Sequence, residues 1–340
     1  MLEIIKDKKQ WDLLVKEIDH YDFHHTYDYH YIAKSVNETP ILLKYIENNI
    51  LIGLPLLIRD INGTSFKDAT SVYGYAGPIS KGITNNFNNS NFIKELNHFF
   101  TENKIISIFS RLNPYVPYQE RVLKNYGKII TQGKVVNIDL TLNIDEQRQN
   151  YQNRLKTHTN KSRRNCTIKR ALTDDDLHKF IEIYYENMDR VNAKKMYYFS
   201  NDYFHKIAKS KDFETETLLA LDNESNKVIA GSMFIKTKSI VQYHLSGTKS
   251  EFLNLMPTKL LIDEMRIRSY QEGYTFFNLG GGLNGSDDDS LFRFKSSFSK
   301  DFKNFNLWNL IINPKAYKEL VNERKIITKS HFFPLYRCIE

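Results

Sequence analysis

Thr217-Leu218-Leu219-Ala220-Leu221, a polar turn over 222–226, Val228 to Lys236 with Gly231 inside it, and Ser239 to Leu245 closing on Ser246-Gly247 form the stretch from which the fold is read. Each run is short, apolar and bounded by turn residues, which is the pattern of a strand. A helix follows from Thr258 to Gln271. Its Leu260, Leu261, Met265 and Ile267 are spaced for one buried face, Thr258 reads as the N-cap after Pro257, and Gly273 reads as the stop. The strand Tyr274 to Leu279 then runs into Gly280-Gly281-Gly282, where the backbone is free to approach a neighbour closely.

The same order occurs once before. Ile41 to Ile46, a turn at Glu47-Asn48-Asn49, Ile50 to Ile58 with Gly53, and Ser71 to Tyr75 ending in Ala76-Gly77-Pro78 precede a helix over Asn91 to Glu102, the strand Ile105 to Ser110 and Asn113-Pro114. Leu42 and Leu218 lie 176 residues apart, and Gly53 and Gly231 lie 178 apart. Such agreement in order and spacing indicates two copies of one α/β unit. Helical segments stand in front of each copy, at 8–18 and 27–36 and again at 174–189 and 201–209. Two helices, an antiparallel hairpin and strand-helix-strand is an order that resembles the GNAT acetyltransferase fold. The chain therefore reads as α/β (α+β): two tandem GNAT-like domains, each a mixed, mostly antiparallel sheet flanked by helices. The expected division is 1–145 and 146–311, with residues from about 312 to 340 packing back on the first domain.

With 41% hydrophobic and 26% charged residues, the composition is that of a soluble globular protein. Cys166 and Cys338 match neither a disulfide framework nor a metal-site spacing, which points to a reducing, cytoplasmic compartment. Met1 to Gln10 has no apolar core of a signal peptide, and runs such as Ile50 to Ile58 are too short for a transmembrane segment. The net charge of +8 implies an anionic partner: nucleic acid, a phosphate-bearing substrate or an anionic membrane surface. The charge concentrates in Arg148 to Arg170, which has no acidic residue. That stretch is either a solvated interdomain face or a platform for polyanions, with Arg154, Lys161, Arg163 and Arg164 as the contacts.

Several motifs together resemble the FemABX proteins, the peptidoglycan interpeptide-bridge aminoacyltransferases and their relatives. They are Tyr73-Gly74-Tyr75-Ala76-Gly77-Pro78, Arg163-Arg164 to Arg170-Ala171, Met188-x-Arg190 through Tyr197-Tyr198-Phe199-Ser200-x-x-Tyr203-Phe204, and the triple glycine with Ser290-Leu291-x-x-Phe294-Lys295. The tail Phe332-Phe333-Pro334-Leu335-Tyr336-Arg337 is similar to relatives associated with surface-polysaccharide synthesis. The resemblance implies transfer of an aminoacyl group from aminoacyl-tRNA to an amine of a UDP- or lipid-linked muropeptide or glycan precursor. It also implies peripheral contact with the inner face of the membrane, and no cofactor beyond the acyl donor. No long heptad run is present, so a coiled-coil tRNA arm is not expected and the compact FemX type is the nearer analogue.

Aminolysis of an activated ester needs alignment of the amine and a donor where the oxyanion forms, and no enzyme nucleophile. Lys295 matches the family position of a lysine expected to stabilise the acyl intermediate, with Phe294 walling the channel. Lys34, Lys194, Tyr198 and Tyr243 match positions that hold phosphate and sugar. Arg190 reads either as a phosphate clamp or as a salt-bridge partner of Asp189 or Glu186. The family often carries an acid before the proline that follows the first copy's last strand. Here the residue is Asn113, an amide that cannot accept a proton. Asp287-Asp288-Asp289 is not expected to hold a metal, and His244, on a predicted inner strand, reads as a satisfied core residue rather than a base.

Two other functions remain open at this point. One is a GNAT-type N-acyltransferase acting on an amino sugar, although neither Glu251 to Thr258 nor Asn85 to Asn91 carries the glycines of a CoA pyrophosphate loop. The other is a non-enzymatic polyanion-binding module.

Overall fold

The computed structural model describes residues 1–283, 288–324 and 332–338. The chain divides into two compact units, 1–132 with 304–340, and 133–303. In chain order, the first unit contains β1 (Leu2–Ile5), α1 (Lys8–Glu17), α2 (Tyr27–Ala33), β2 (Glu38–Glu47), β3 (Ile50–Asp60), β4 (Lys67–Thr70), β5 (Ile79–Lys81), α3 (Ser90–Glu102), β6 (Ile105–Arg111) and α4 (Gln119–Val122). β7 (Lys128–Asp139) carries the chain into the second unit. There follow α5 (Ile144–Gln149), α6 (Asn153–Asn165), β8 (Cys166–Arg170), α7 (Asp174–Arg190), α8 (Asn201–Lys209), β9 (Glu214–Asp222), β10 (Val228–Thr237), β11 (Ile240–Thr248), α9 (Pro257–Gln271), β12 (Phe276–Gly280) and α10 (Ser290–Lys295). β13 (Asp301–Ile311) and α11 (Pro314–Glu323) close the first unit.

Each unit holds a mostly antiparallel sheet flanked by helices, and the two sheets repeat one plan. The first orders its strands β1-β2-β3-β4-β6-β13, and the second β8-β9-β10-β11-β12-β7. In each, one parallel pair occurs at the same place, β4 with β6 and β11 with β12. The duplication expected from spacing is therefore present in the fold. The boundaries differ from 145/146 and 311/312. Residues 136–139 of β7 pair with β12, and Leu307–Ile311 of β13 pair with β6, so each unit takes its last strand across the chain division.

Strand alternation explains the layers. In β2, Ile41, Leu43 and Tyr45 face the cluster that buries Phe92, Leu96 and Phe100 of α3, while Leu42 faces Trp11, Leu14 and Val15 of α1. In the second unit, Leu218, Ala220, Ala230 and Phe234 pack with Leu155 of α6 and Leu260, Leu261 and Met265 of α9. The paired glycines have a packing reason. A Cβ at Gly53 would lie 2.7 Å from the Leu14 side chain of α1, and one at Gly231 would lie 2.5 Å from Phe180 of α7. Each glycine admits the helix in front of its own sheet.

Two local expectations are corrected. Ser71 to Tyr75 is not a strand: β4 ends at Thr70, and the following segment is a loop in which Gly74 and Gly77 have φ of 116° and 84°. The N-cap of α9 is Met256, in the left-handed region, and Pro257 occupies the first helical turn. Thr258 instead shares a hydrogen bond with the hydroxyl of Thr248 at 2.7 Å. Among the described residues no helix is long and apolar enough to cross a membrane.

Candidate active site

β11 and β12 are paired only over Ile240–Gln242 and Phe276–Asn278, and then part. Asn278 sits at the divergence. Its amide donates to Gln242 Oε1 at 2.7 Å, and its carbonyl oxygen accepts from Gly280 N at 2.8 Å. Gly280 has a φ of 77°, and the chain turns away there. Gly281 passes so close to β7 that a Cβ would lie 2.7 Å from Lys134 O. The glycines thus serve backbone approach, as their type requires.

The turned-out backbone receives Lys295. Asp289 caps α10 and accepts from Phe292 N at 3.0 Å and from Leu283 N at 2.9 Å, which ties the loop to the helix. Asp289 is therefore a capping residue. Asp287 lies outside the described residues, and among the described residues no group of three metal-ligating side chains occurs. Lys295 is 8% exposed, and its Nζ donates to Gly281 O at 2.8 Å. Burial pulls its proton affinity down to about 8, against the opposing pull of Asp289. An ammonium has three donors, and among the described residues this is its one hydrogen bond. Its other two N–H groups have no partner among the described residues. Phe294 packs on the core edge-to-face with Phe298 at 5.8 Å.

Beyond Gln242, β11 leaves β12 but stays paired with β10, and this half holds Tyr243 and His244. Tyr243 packs beside Phe234 and its hydroxyl bonds to Ser246, while burial pushes the phenol up to about 12. His244 is half-buried and shares a hydrogen bond with Tyr203 OH at 2.8 Å; Phe199 stacks on Tyr203 at 4.4 Å. Lys194, Tyr198 and Arg190 cluster in sequence at the end of α7, and all are exposed. Arg190 makes neither proposed ion pair. Its guanidinium donates to Asn187, Asp189 accepts from Tyr198 OH at 2.8 Å, and Glu186 accepts from Ser250 N at 2.8 Å.

In the first unit Lys34 is half-buried at the end of α2, where its N–H donates to His30 O. Asn113 is buried. Its amide donates to Tyr75 O at 2.9 Å and to Asp22 Oδ2 at 3.2 Å, and its carbonyl oxygen accepts from Tyr115 N at 2.9 Å. His24 Nδ1 shares the same Asp22 oxygen at 2.7 Å, and Gln119 Nε2 donates to Ala76 O and Pro78 O. Gly74 makes room for this centre, since a Cβ there would lie 2.1 Å from His24 Nε2. Sequence reasoning missed Asp22, His24 and His25. The available signal was an unusual density of His and Asp in a segment destined for the interior.

The basic stretch separates into two populations. Arg163 is bound to Asp263 and Glu264, each at 2.8 Å, and Asp263 also accepts from Tyr151 OH and Arg266. Expected as a polyanion contact, Arg163 is exposed and at the same time ion-paired with carboxylates of its own unit. Arg154 and Arg164 are exposed, and Lys161 donates to Asn254 O at 3.3 Å.

Residues 208–318 match the model of the FemAB family. No curated protein matches the chain by sequence. Among solved structures, FemX superposes with a TM-score of 0.72 at 13% identity, covering 93% of this chain and 99% of that one. L-PGS from Bacillus licheniformis gives 0.58 at 13%, covering 94% and 96%. A tandem GNAT protein from the clavulanic acid biosynthesis pathway gives 0.50 at 9%, covering 93% and 100%. Residues 208–318 thus resemble the FemAB family, and the chain has a tandem GNAT-like fold.

Proposed function

We propose, from the FemAB match of residues 208–318 as premise, that this protein is an aminoacyltransferase. It would move an aminoacyl group from aminoacyl-tRNA to an amine of a cell-wall or surface-glycan precursor. The observation that carries the reading is the buried ammonium of Lys295, held on Gly281 O where β12 leaves β11. The acceptor nitrogen attacks the ester carbonyl carbon and forms the amide. The ester C–O bond to the ribose breaks, the nitrogen loses a proton, and the leaving ribose oxygen gains one. Negative charge gathers on the former carbonyl oxygen between these events, and a preorganised cation in a dry site stabilises it far more than water does.

Phe294 walls the acyl channel in this reading. In the second unit Arg190, Lys194, Tyr198 and Tyr243 contact the acceptor, and the reaction requires no cofactor. The work is done in the cytoplasm, where both co-substrates are made, with peripheral contact to the inner membrane face for a lipid-linked acceptor. Incubation with charged tRNA pools and a UDP-linked muramyl pentapeptide tests the reading by mass spectrometry. An aminoacyl mass increment in wild type and its loss in Lys295→Met are expected. Transfer from acetyl-CoA to an amino sugar, with none from charged tRNA, would overturn it.

A further inference from the structure

α6 and the start of α9 meet at a cluster of cations that nothing in the described structure neutralises. Lys259 Nζ donates to His158 Nδ1 at 2.7 Å, so the two side chains occupy one place. Burial, then Lys259, Arg154 and Lys161, lower the proton affinity of His158. Burial and Arg154 do the same to Lys259. Among the described residues no carboxylate forms an ion pair with Arg154, Lys161 or Lys259. The nearby acids Asp263 and Glu264 are engaged by Arg163, Arg148 and Arg266. Lys259 also stands in the first turn of α9, which has no acidic residue and no side-chain cap. A cation at that end of a helix opposes the backbone dipole. The arrangement is unfavourable twice over in the free protein, and an anion relieves both terms.

The shape narrows the ligand. α6 has thirteen residues and is roughly 20 Å long. Arg154 and Lys161 lie on it, and the exposed Arg164 lies at its far end. A single phosphate or pyrophosphate covers one end of that row. A nucleic-acid backbone, with phosphates at regular spacing, covers all of it.

We infer that Arg154, His158, Lys161 and Lys259, with Arg164 beyond them, form the surface on which the RNA part of the donor rests through its phosphates. Arg163 is excluded from that surface. The inference depends on the proposed aminoacyl-tRNA donor for its biological use, but its test does not depend on turnover.

Binding of a fluorescent acceptor-stem RNA hairpin to the full chain, followed by anisotropy between 50 and 200 mM salt, supplies the test. Lys259→Gln and Arg154→Gln are each expected to weaken binding about five- to tenfold and to flatten the log–log salt slope by about 0.7–0.9. Arg154 is exposed, so its variant reads the contact even where Lys259→Gln perturbs packing. Arg163→Gln and Lys295→Met are expected to keep the slope of wild type. Coenzyme A and anionic phosphatidylglycerol vesicles form two further arms. An unchanged slope in both Gln variants overturns the surface, as does binding of vesicles or coenzyme A through these residues without binding of the hairpin. If wild type transfers from charged tRNA while both variants bind normally, the surface is wrong and the proposed function stands. If the variants lose RNA binding while wild type transfers nothing, the surface stands and the proposed function is wrong.

Discussion

Asn113 donates through Nδ2 to Oδ2 of Asp22 at 3.2 Å, and that oxygen is also the partner of His24. The first unit therefore keeps a carboxylate beside position 113 although position 113 itself is an amide. Asn113→Asp would bring two buried carboxylates together and remove the donor between them. A loss of about 1–3 kcal/mol is expected in urea unfolding at pH 7. The exchanged pair Asp22→Asn with Asn113→Asp should recover a substantial part of it. If the double variant is no better than the worse single one, the pairing is not what holds this centre.

Lys295 gives a prediction of opposite sign. Its proton affinity is lowered from 10.5 to about 8 in the folded chain. A depressed lysine costs stability wherever the folded form is still charged. The penalty is complete below about pH 8, shrinks as pH rises toward 10.5, and is gone above it. Lys295→Met should thus stabilise the protein at pH 6, by at most roughly 3 kcal/mol, less the lost bond to Gly281, and by little at pH 10. Equal effects at both pH values would show that burial of charge is not the cause. In the proposed reaction, the same ionisation makes turnover decline as pH rises through about 8.

Gly231 and Phe180 form a packing pair whose strain is directional. Gly231→Ala places a methyl 2.5 Å from the Phe180 ring, and a cost of about 1–3 kcal/mol is expected. Adding Phe180→Leu should relieve part of it, and thermal unfolding of the single and double variants measures the coupling. Strict additivity would argue against the contact.

Asp263 anchors Tyr151, Arg163 and Arg266 from a fully buried position. Burial pushes its carboxyl up, but Arg266, Arg163 and Tyr151 outweigh this and hold it below the usual range. Its contribution is present at neutral pH and is lost as pH falls below about 4. Asp263→Ala strands Arg266 without its buried partner, at a cost of about 3–5 kcal/mol. A variant that loses less than 1 kcal/mol at pH 7 would contradict that account.

Much of this architecture is legible in the linear chain because it rests on short-range chemistry. Period-two strands, turn residues and paired glycines are local signals, and their repetition marks the duplicated unit. Even Lys295 stands out as a cation among aromatic residues. The misreadings share a different cause. Ser71 to Tyr75 has the composition of a strand, but the chain there must bend over His24 and Gln119, contacts 50 and 42 residues away for Gly74 and Gly77. Arg163 has the same composition as Arg154, yet one faces Asp263 and the other does not.

The order of residues is enough to establish two copies of an α/β unit, their strands and helices, and the positions where backbone must approach closely, since these depend on backbone freedom and hydrophobic period. It leaves open which charges are used up. Asn113 meets Asp22, Arg163 meets Asp263 and Lys295 meets Gly281 only when distant segments pack. Electrostatic roles depend on distance and on exclusion of water, and both come into being when the chain closes on itself.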